Sequence, residues 1–286
     1  MRSVVGAGTL AAALIAANAA LAFDESKYPE FRGQWFRPAG VGVQWDPSNP
    51  LGRGQRAPLT PEYQKVLEAS LADQAAGGQG NDPTFTCIPP GMPRAMTVPA
   101  GRMEAVVLPD VTFIIIEYAG QIRRIYTDGR SFPKEFEPSF LGYSIGKWMD
   151  EDGDGRYDVL VVETRGFKAP RSFEASGLPL HADNETVIKE RIYIDKADKD
   201  QLRDEVTTID NALTRPWTVT KTYRREHNPI WFEYTCAEGN HHVRIGKDNY
   251  YVSEDGFLWP VRKNQAPPDL KYFTQKPKWW ESGGHA

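Results

Sequence analysis

From residue 101 onward, hydrophobic and polar positions alternate with a period of two, the pattern of strands that rest one face on a core. MEAVVLPDVTFIIIEYAGQIRRIYTDGR carries three short strands, broken at Pro109-Asp110 and Ala119-Gly120. YSIGKWM, YDVLVVETRGF, ETVIKERIYID, QLRDEVTTID, PWTVTKTYRRE and IWFEYTCAE continue the series. NYYVSEDGFLWPVR reads as a hairpin turning at Glu254-Asp255-Gly256. Ahead of this region, Gly33-Gln34-Trp35 opens a first strand, and one helix is expected over 61–75. Thr60 caps that helix, Pro61 takes its first position and Gly77-Gly78 ends it. Tyr63, Val66, Leu67, Ser70 and Leu71 fall on one stripe, expected to pack on the body of the protein. With no helix between consecutive strands, the sheet should be antiparallel. A meander of roughly ten strands closes most simply into an up-and-down β-barrel, with a two-sheet β-sandwich as the alternative.

The first 22 residues change the picture of where the chain works. MRSVVGAGTLAAALIAANAALA has one arginine, a run of small and apolar residues and a closing Ala20-Leu21-Ala22, the pattern of a secretory signal peptide. Cleavage after Ala22 would deliver the protein to the periplasm or the exterior. No later run approaches the ~20 apolar residues of a membrane-spanning helix. The expected organisation is a single domain over 23–286, with an N-terminal extension to residue 100, a barrel core over 101–240 and a C-terminal hairpin and tail.

Export also bears on the two cysteines. Cys87 and Cys236 in an oxidising compartment are expected to form a disulfide. It would close a loop of about 150 residues, for which chain entropy allows roughly 4–5 kcal/mol. The net charge is −4 with mixed signs and no basic block, which argues against a nucleic-acid partner.

DEDGDGRYD, residues 150–158, admits two readings. Asp150, Asp152, Asp154 and Asp158 stand at positions 1, 3, 5 and 9 of a calcium loop with Gly155 at position 6, but Val161 replaces the bidentate glutamate at position 12. The flanks are strands, so the stretch also reads as an acidic hairpin whose Asp-Gly pairs supply positive φ. Calcium is thus a candidate ligand, and no other cofactor is called for.

Alternation selects residues that could carry chemistry. Glu190 shares a strand face with Ile188, Ile192 and Ile194, so it should point inward, where a carboxylate must be paired or functional. Arg124 and Arg191 are its candidate partners. His181 lies in the loop before that strand with Asp183 beside it, and suits proton transfer. The two form the candidate catalytic pair. Arg124 and Tyr126, expected on one side of their strand, join Arg94, Arg191, Trp148 and Trp217 as candidate ligand contacts. No G-x-S-x-G, H-E-x-x-H or nucleotide-binding glycine loop occurs.

CIPPGMPR, RRIYTDGRSFPKEFEPSFLGYSIGKW, LVVETRGF, HADNETVIKERIYID, TRPWT and FEYTCAEGN, in that order over residues 80–240, resemble a large group of exported bacterial proteins. Gly33-x-Trp35 followed by meandering strands is similar to the opening of lipocalin-like (calycin) barrels, which implies an internal ligand cavity. Two functions follow as expectations. One is an exported barrel that binds a small hydrophobic or aromatic molecule inside. The other is a cofactor-free acid–base enzyme (isomerase, hydratase or lyase) in the same cavity, using Glu190 and His181. Convergence of Glu190, His181 and Arg124 would favour the enzyme, and dispersal the binder.

Overall fold

A computed structural model describes residues 23–38, 57–97, 101–174, 176–236, 241–246 and 248–269. The expected signal peptide and the tail beyond 269 lie outside them. Nine strands form one closed barrel in sequence order: β1 (Gln34–Phe36), β2 (Arg102–Val107), β3 (Val111–Ile116), β4 (Gln121–Tyr126), β5 (Tyr143–Met149), β6 (Val159–Arg165), β7 (Val187–Ile194), β8 (Gln201–Ile209) and β9 (Trp217–Glu226). The short β1 closes it, since Trp35 pairs with Met103 of β2 on one side and Arg225 of β9 on the other. The barrel therefore begins at residue 34 and recruits part of the segment expected to be an extension.

One neighbouring pair departs from the antiparallel expectation. β4 and β5 run parallel and share only the register pairs Ile125–Ser144 and Tyr126–Ile145. A parallel neighbour cannot be reached by a tight turn, so residues 127–142 cross over outside the barrel. Aromatic rings reinforce this narrow seam. Tyr126 stacks on Tyr143 at 5.1 Å, Arg130 covers Tyr126 at 3.8 Å, and Phe136 lies 5.4 Å from Tyr143. Gly166, at φ +72°, leaves room for the Phe136 ring, whose nearest atom is 1.8 Å from where a Cβ would stand. The YTDGRSFPKEF and TRGF stretches thus meet in one closure. Tyr126, expected at a ligand, is part of this stack.

The lumen is filled. Trp35, Ile125, Leu160, Val162, Ile188, Ile192, Val206 and Val219 are all at most 1% exposed. Gly146 of β5 lets Ile125 approach, because a Cβ would sit 2.6 Å from its Cγ2. A segment holding the four-residue helix α2 (Arg94–Thr97) packs Met92 and Met96 into this core, and the Tyr223 hydroxyl bonds to the Met96 carbonyl. The interior void beside Phe31, Trp35, Met103 and Thr112 measures only about 10 Å³, the space of a single water.

The 61–75 helix, α1 (Pro61–Ala75), starts as expected, with Tyr63 N donating to Thr60 Oγ1 at 3.4 Å. Its packed face is narrower than the expected stripe. Ser70 is buried and Tyr63 and Leu67 half-buried, whereas Val66 and Leu71 are exposed. The C-terminal hairpin gains a third strand: β10 (His242–Ile245), β11 (Asp248–Val252) and β12 (Leu258–Pro260) form a small sheet. The described part of IWFEYTCAE, residues 230–236, is expected as a strand but joins no ladder. It is pinned instead by side chains, with Ile230 N donating to Gln34 Oε1 (3.0 Å) and Phe232 N to Glu117 Oε1 (2.6 Å). Within it, Cys236 is disulfide-bonded to Cys87 with the Cα atoms 5.6 Å apart.

Thiol titration of the unreduced, denatured mature protein should find no free thiol. The Cys87→Ser/Cys236→Ser double variant should lose roughly 2–5 kcal/mol in denaturant unfolding. Two titratable thiols in the wild type would remove the disulfide from the native protein.

Candidate functional site

Glu190 points into the lumen between Ile188 and Ile192, as alternation on β7 requires, and is 1% exposed. Its partner is Arg123, not Arg124 or Arg191. Arg123 Nη1 donates to Glu190 Oε1 at 2.8 Å, and Nη2 closes a second bond to Oε2. The Thr164 hydroxyl (3.0 Å) and the Ser144 hydroxyl (3.4 Å) take further Nη2 contacts. The β3–β4 ladder decides which arginine enters. It pairs Ile114 with Arg123 and Ile116 with Gln121, and both isoleucines face the core. Arg124 is therefore exposed outside, its guanidinium 5.3 Å from the Phe113 ring centre.

A second pair of lumen groups, Asp204 and Lys221, are register partners on β8 and β9. Neither was picked out from the sequence, although the alternation of QLRDEVTTID and PWTVTKTYRRE contains both. Asp204 is fully buried and neither carboxyl oxygen has a hydrogen-bond partner. Burial, with the Glu190 carboxylate nearby, pushes its pKa well above the usual carboxylate range, toward the neutral acid. Burial, then the charge of Arg37, lowers Lys221 to about 7. Both groups are shut off from solvent and from any substrate.

The other expected site residues disperse. His181 is on the loop before β7, its Nδ1 3.0 Å from Asp183 Oδ2 and its ring 5.4 Å from Tyr63 of α1, while Glu190 is walled inside the barrel. Arg94 is buried, bonded through both terminal nitrogens to Asp82 and also to Ser172 (3.1 Å), which makes it a structural staple. Trp148 and Trp217 fill the core rather than line a pocket. Trp148 lies 5.3 Å from Tyr28, and Trp217 4.5 Å from Phe173. Glu190, His181 and Arg124 do not converge.

The large concavity is on the outside, where a groove of about 870 Å³ runs between the 150–158 hairpin and the 195–200 turn. Tyr157, Tyr193, Ile194 and Pro29 supply its apolar walls. Arg191, expected at a ligand, lines it from the outer face of β7, where it makes two bonds to Glu151 (2.8 and 3.0 Å) and a 3.4 Å contact with Glu205. The hairpin is tied to itself by its acids. Asp150 accepts from the amides of Gly153 (2.7 Å) and Gly155 (3.0 Å), and Asp158 from those of Glu151 (2.8 Å) and Asp152 (3.3 Å).

Oxygens of Asp150, Asp152 and Asp158 lie within 4.8 Å of one another. Asp154 is not in that group; it accepts from the Arg156 amide at 2.8 Å. The Lys196 ammonium sits 2.7 Å from Asp152 and 3.9 Å from Asp158, and so neutralises two of these three carboxylates. Its position on the far turn gave no signal in the sequence.

The chain matches no protein-family model and no curated protein. What defines it is the fold: a closed, mainly β, nine-stranded barrel with a packed lumen and a charged groove on its wall.

Glu190→Gln should cost about 3–5 kcal/mol in equilibrium unfolding, because it leaves the Arg123 charge buried without its counter-charge. A cost under ~1 kcal/mol would mean that the pair contributes little. At the acidic loop, the Lys196 ammonium already holds the Asp152 and Asp158 carboxylates that a calcium ion would need. Calcium at ~5 mM, in the range of weak extracellular sites, should therefore raise the Tm of Lys196→Ala more than that of the wild type. No shift in either protein would leave the loop a hairpin alone.

Proposed function

We propose that the protein is an exported binding protein that holds a small molecule with an aromatic or apolar body in the groove beside the 150–158 hairpin. The observation that carries this reading is the contrast between a filled lumen and an open groove of about 870 Å³. The dispersal of Glu190, His181 and Arg124 supports a binder over an acid–base enzyme. The Cys87–Cys236 disulfide supports export.

The charges of the groove suggest the ligand's polar end. Glu151, Asp152, Asp158 and Asp200 are each within salt-bridge distance of a cation of the protein. Arg156 on one bank and Lys199 on the other make no salt bridge among the described residues, against one such carboxylate, Asp154, in the groove. The groove therefore suits a ligand with an acidic group, held by these cations while its apolar body rests on Tyr157 and Tyr193.

8-Anilinonaphthalene-1-sulfonate, an aromatic anion, is a suitable probe. Its fluorescence titration should give a saturable site in the micromolar range, weakened about tenfold by Tyr157→Ala or by Lys199→Glu, a loss of ~1.4 kcal/mol. Unchanged affinity in both variants would place any binding elsewhere. Mass spectrometry of molecules released from protein purified after export should identify an aromatic or apolar acid as the native ligand.

A further inference from the structure

The outer wall of the barrel has two different sides. Over β6–β9 its outward residues are mainly polar, with Glu163, Lys189, Glu205 and Thr220 beside Val161 and Val187. Over β2–β4 they are mainly apolar, with Arg102, Glu104 and Arg124 among them. The register stacks the outward positions in rows: Glu104–Ile115–Ile122, then Val106–Phe113–Arg124. Ile122 is 59% exposed and Val106 40%, and Phe232, 57% exposed, extends the face past Arg102, whose guanidinium lies 5.3 Å from its ring centre. A strand such as VTFIII, apolar on both faces, is expected where both faces are covered.

We infer that this face is a self-association surface, through which two copies of the chain pack β2–β4 against β2–β4 about a two-fold axis. Charge complementarity selects a second copy as the occupant. Glu104 and Arg124 stand at opposite corners of the apolar rows. Neither forms a salt bridge among the described residues; Glu104 accepts only from the Gln34 amide (2.9 Å), and Arg124 lies over Phe113. A two-fold axis lying in the interface and passing between Ile115 and Phe113 brings Glu104 onto the partner's Arg124, and Arg124 onto the partner's Glu104. The same operation lays Ile115 on the partner's Ile122 and Phe113 on the partner's Val106. An isologous contact needs such a self-complementary patch, and here one carboxylate and one guanidinium per copy suffice. The ligand groove is lined from β6, β7 and the adjoining turns, so this contact leaves it open.

Sedimentation velocity of the mature, disulfide-bonded chain across ~1–200 μM, a span that brackets weak dimers, tests the inference. The wild type should pass from monomer to dimer over this range. Ile122→Glu and Glu104→Arg should each raise the dissociation constant about tenfold or more, and the Glu104→Arg/Arg124→Glu double exchange should restore it to within about threefold of wild type. Restoration would mark the pairing as specific, since a merely sticky surface would not recover on exchanging two charges. A wild type that stays monomeric at 200 μM would overturn the inference. So would a dimer indifferent to Ile122→Glu, or a double exchange no better than the single change.

Discussion

A guanidinium and a carboxylate taken out of water inside a barrel must hold each other closely, because each alone would cost several kcal/mol to bury. Arg123 and Glu190 meet that constraint with paired bonds across the lumen, and much of the interior is arranged around them. The hydroxyls of Ser144 and Thr164 take up further donors, and the two bond to each other at 2.8 Å. Asp204, a second acid in the same low-dielectric space, is driven toward its neutral form by burial and by the Glu190 charge. Burial first, and the Glu190 charge second, shift this acid, while charge pairing and ring packing among the described residues fill the lumen. The binding proposed for this protein is accordingly assigned to the wall.

Closure of the barrel imposes a second demand. Antiparallel neighbours share six or more register pairs along most of the wall, whereas the parallel β4–β5 contact has two. The missing ladder bonds are offset by the stack of Tyr126, Tyr143 and Phe136 under Arg130, outside the seam. Backbone pairing and side-chain stacking are exchanged here for one another. The crossover that carries these rings is, after the 166–186 connection of β6 to β7, the longest between consecutive barrel strands after β2.

The wall then divides by chemistry. Strands β6–β9 show water a polar surface, and the turns at one end of that side form the groove, where nearly every carboxylate is matched by a cation of the protein. Strands β2–β4 show an apolar surface with a single cation and anion left unmatched at its corners. The same closed ladder supports both, since the outward residues of a barrel are free to vary once the inward ones have filled it.

The period-two pattern was enough to place strands β2 to β9 within a residue or two, together with α1, its cap and the inward direction of Glu190, because alternation and capping are local properties of the chain. The disulfide partners were legible from the pair of cysteines together with the expected export. Tertiary structure decided the rest. QIRRIY carries isoleucines of both parities, so only pairing with β3 could choose Arg123 over Arg124. IWFEYTCAE has strand composition but meets side chains where a ladder partner would have to be. Val66 and Leu71 lie at helical spacing, yet the surface below α1 reaches only Tyr63, Leu67 and Ser70. Whether the lumen holds a ligand depends on how side chains from nine strands and a plug fill one volume, and the site of Lys196 depends on two turns meeting. These are relations between residues far apart in the chain. The sequence by itself determined the local elements and their faces, and packing of distant elements determined partners, volumes and the place left for a ligand.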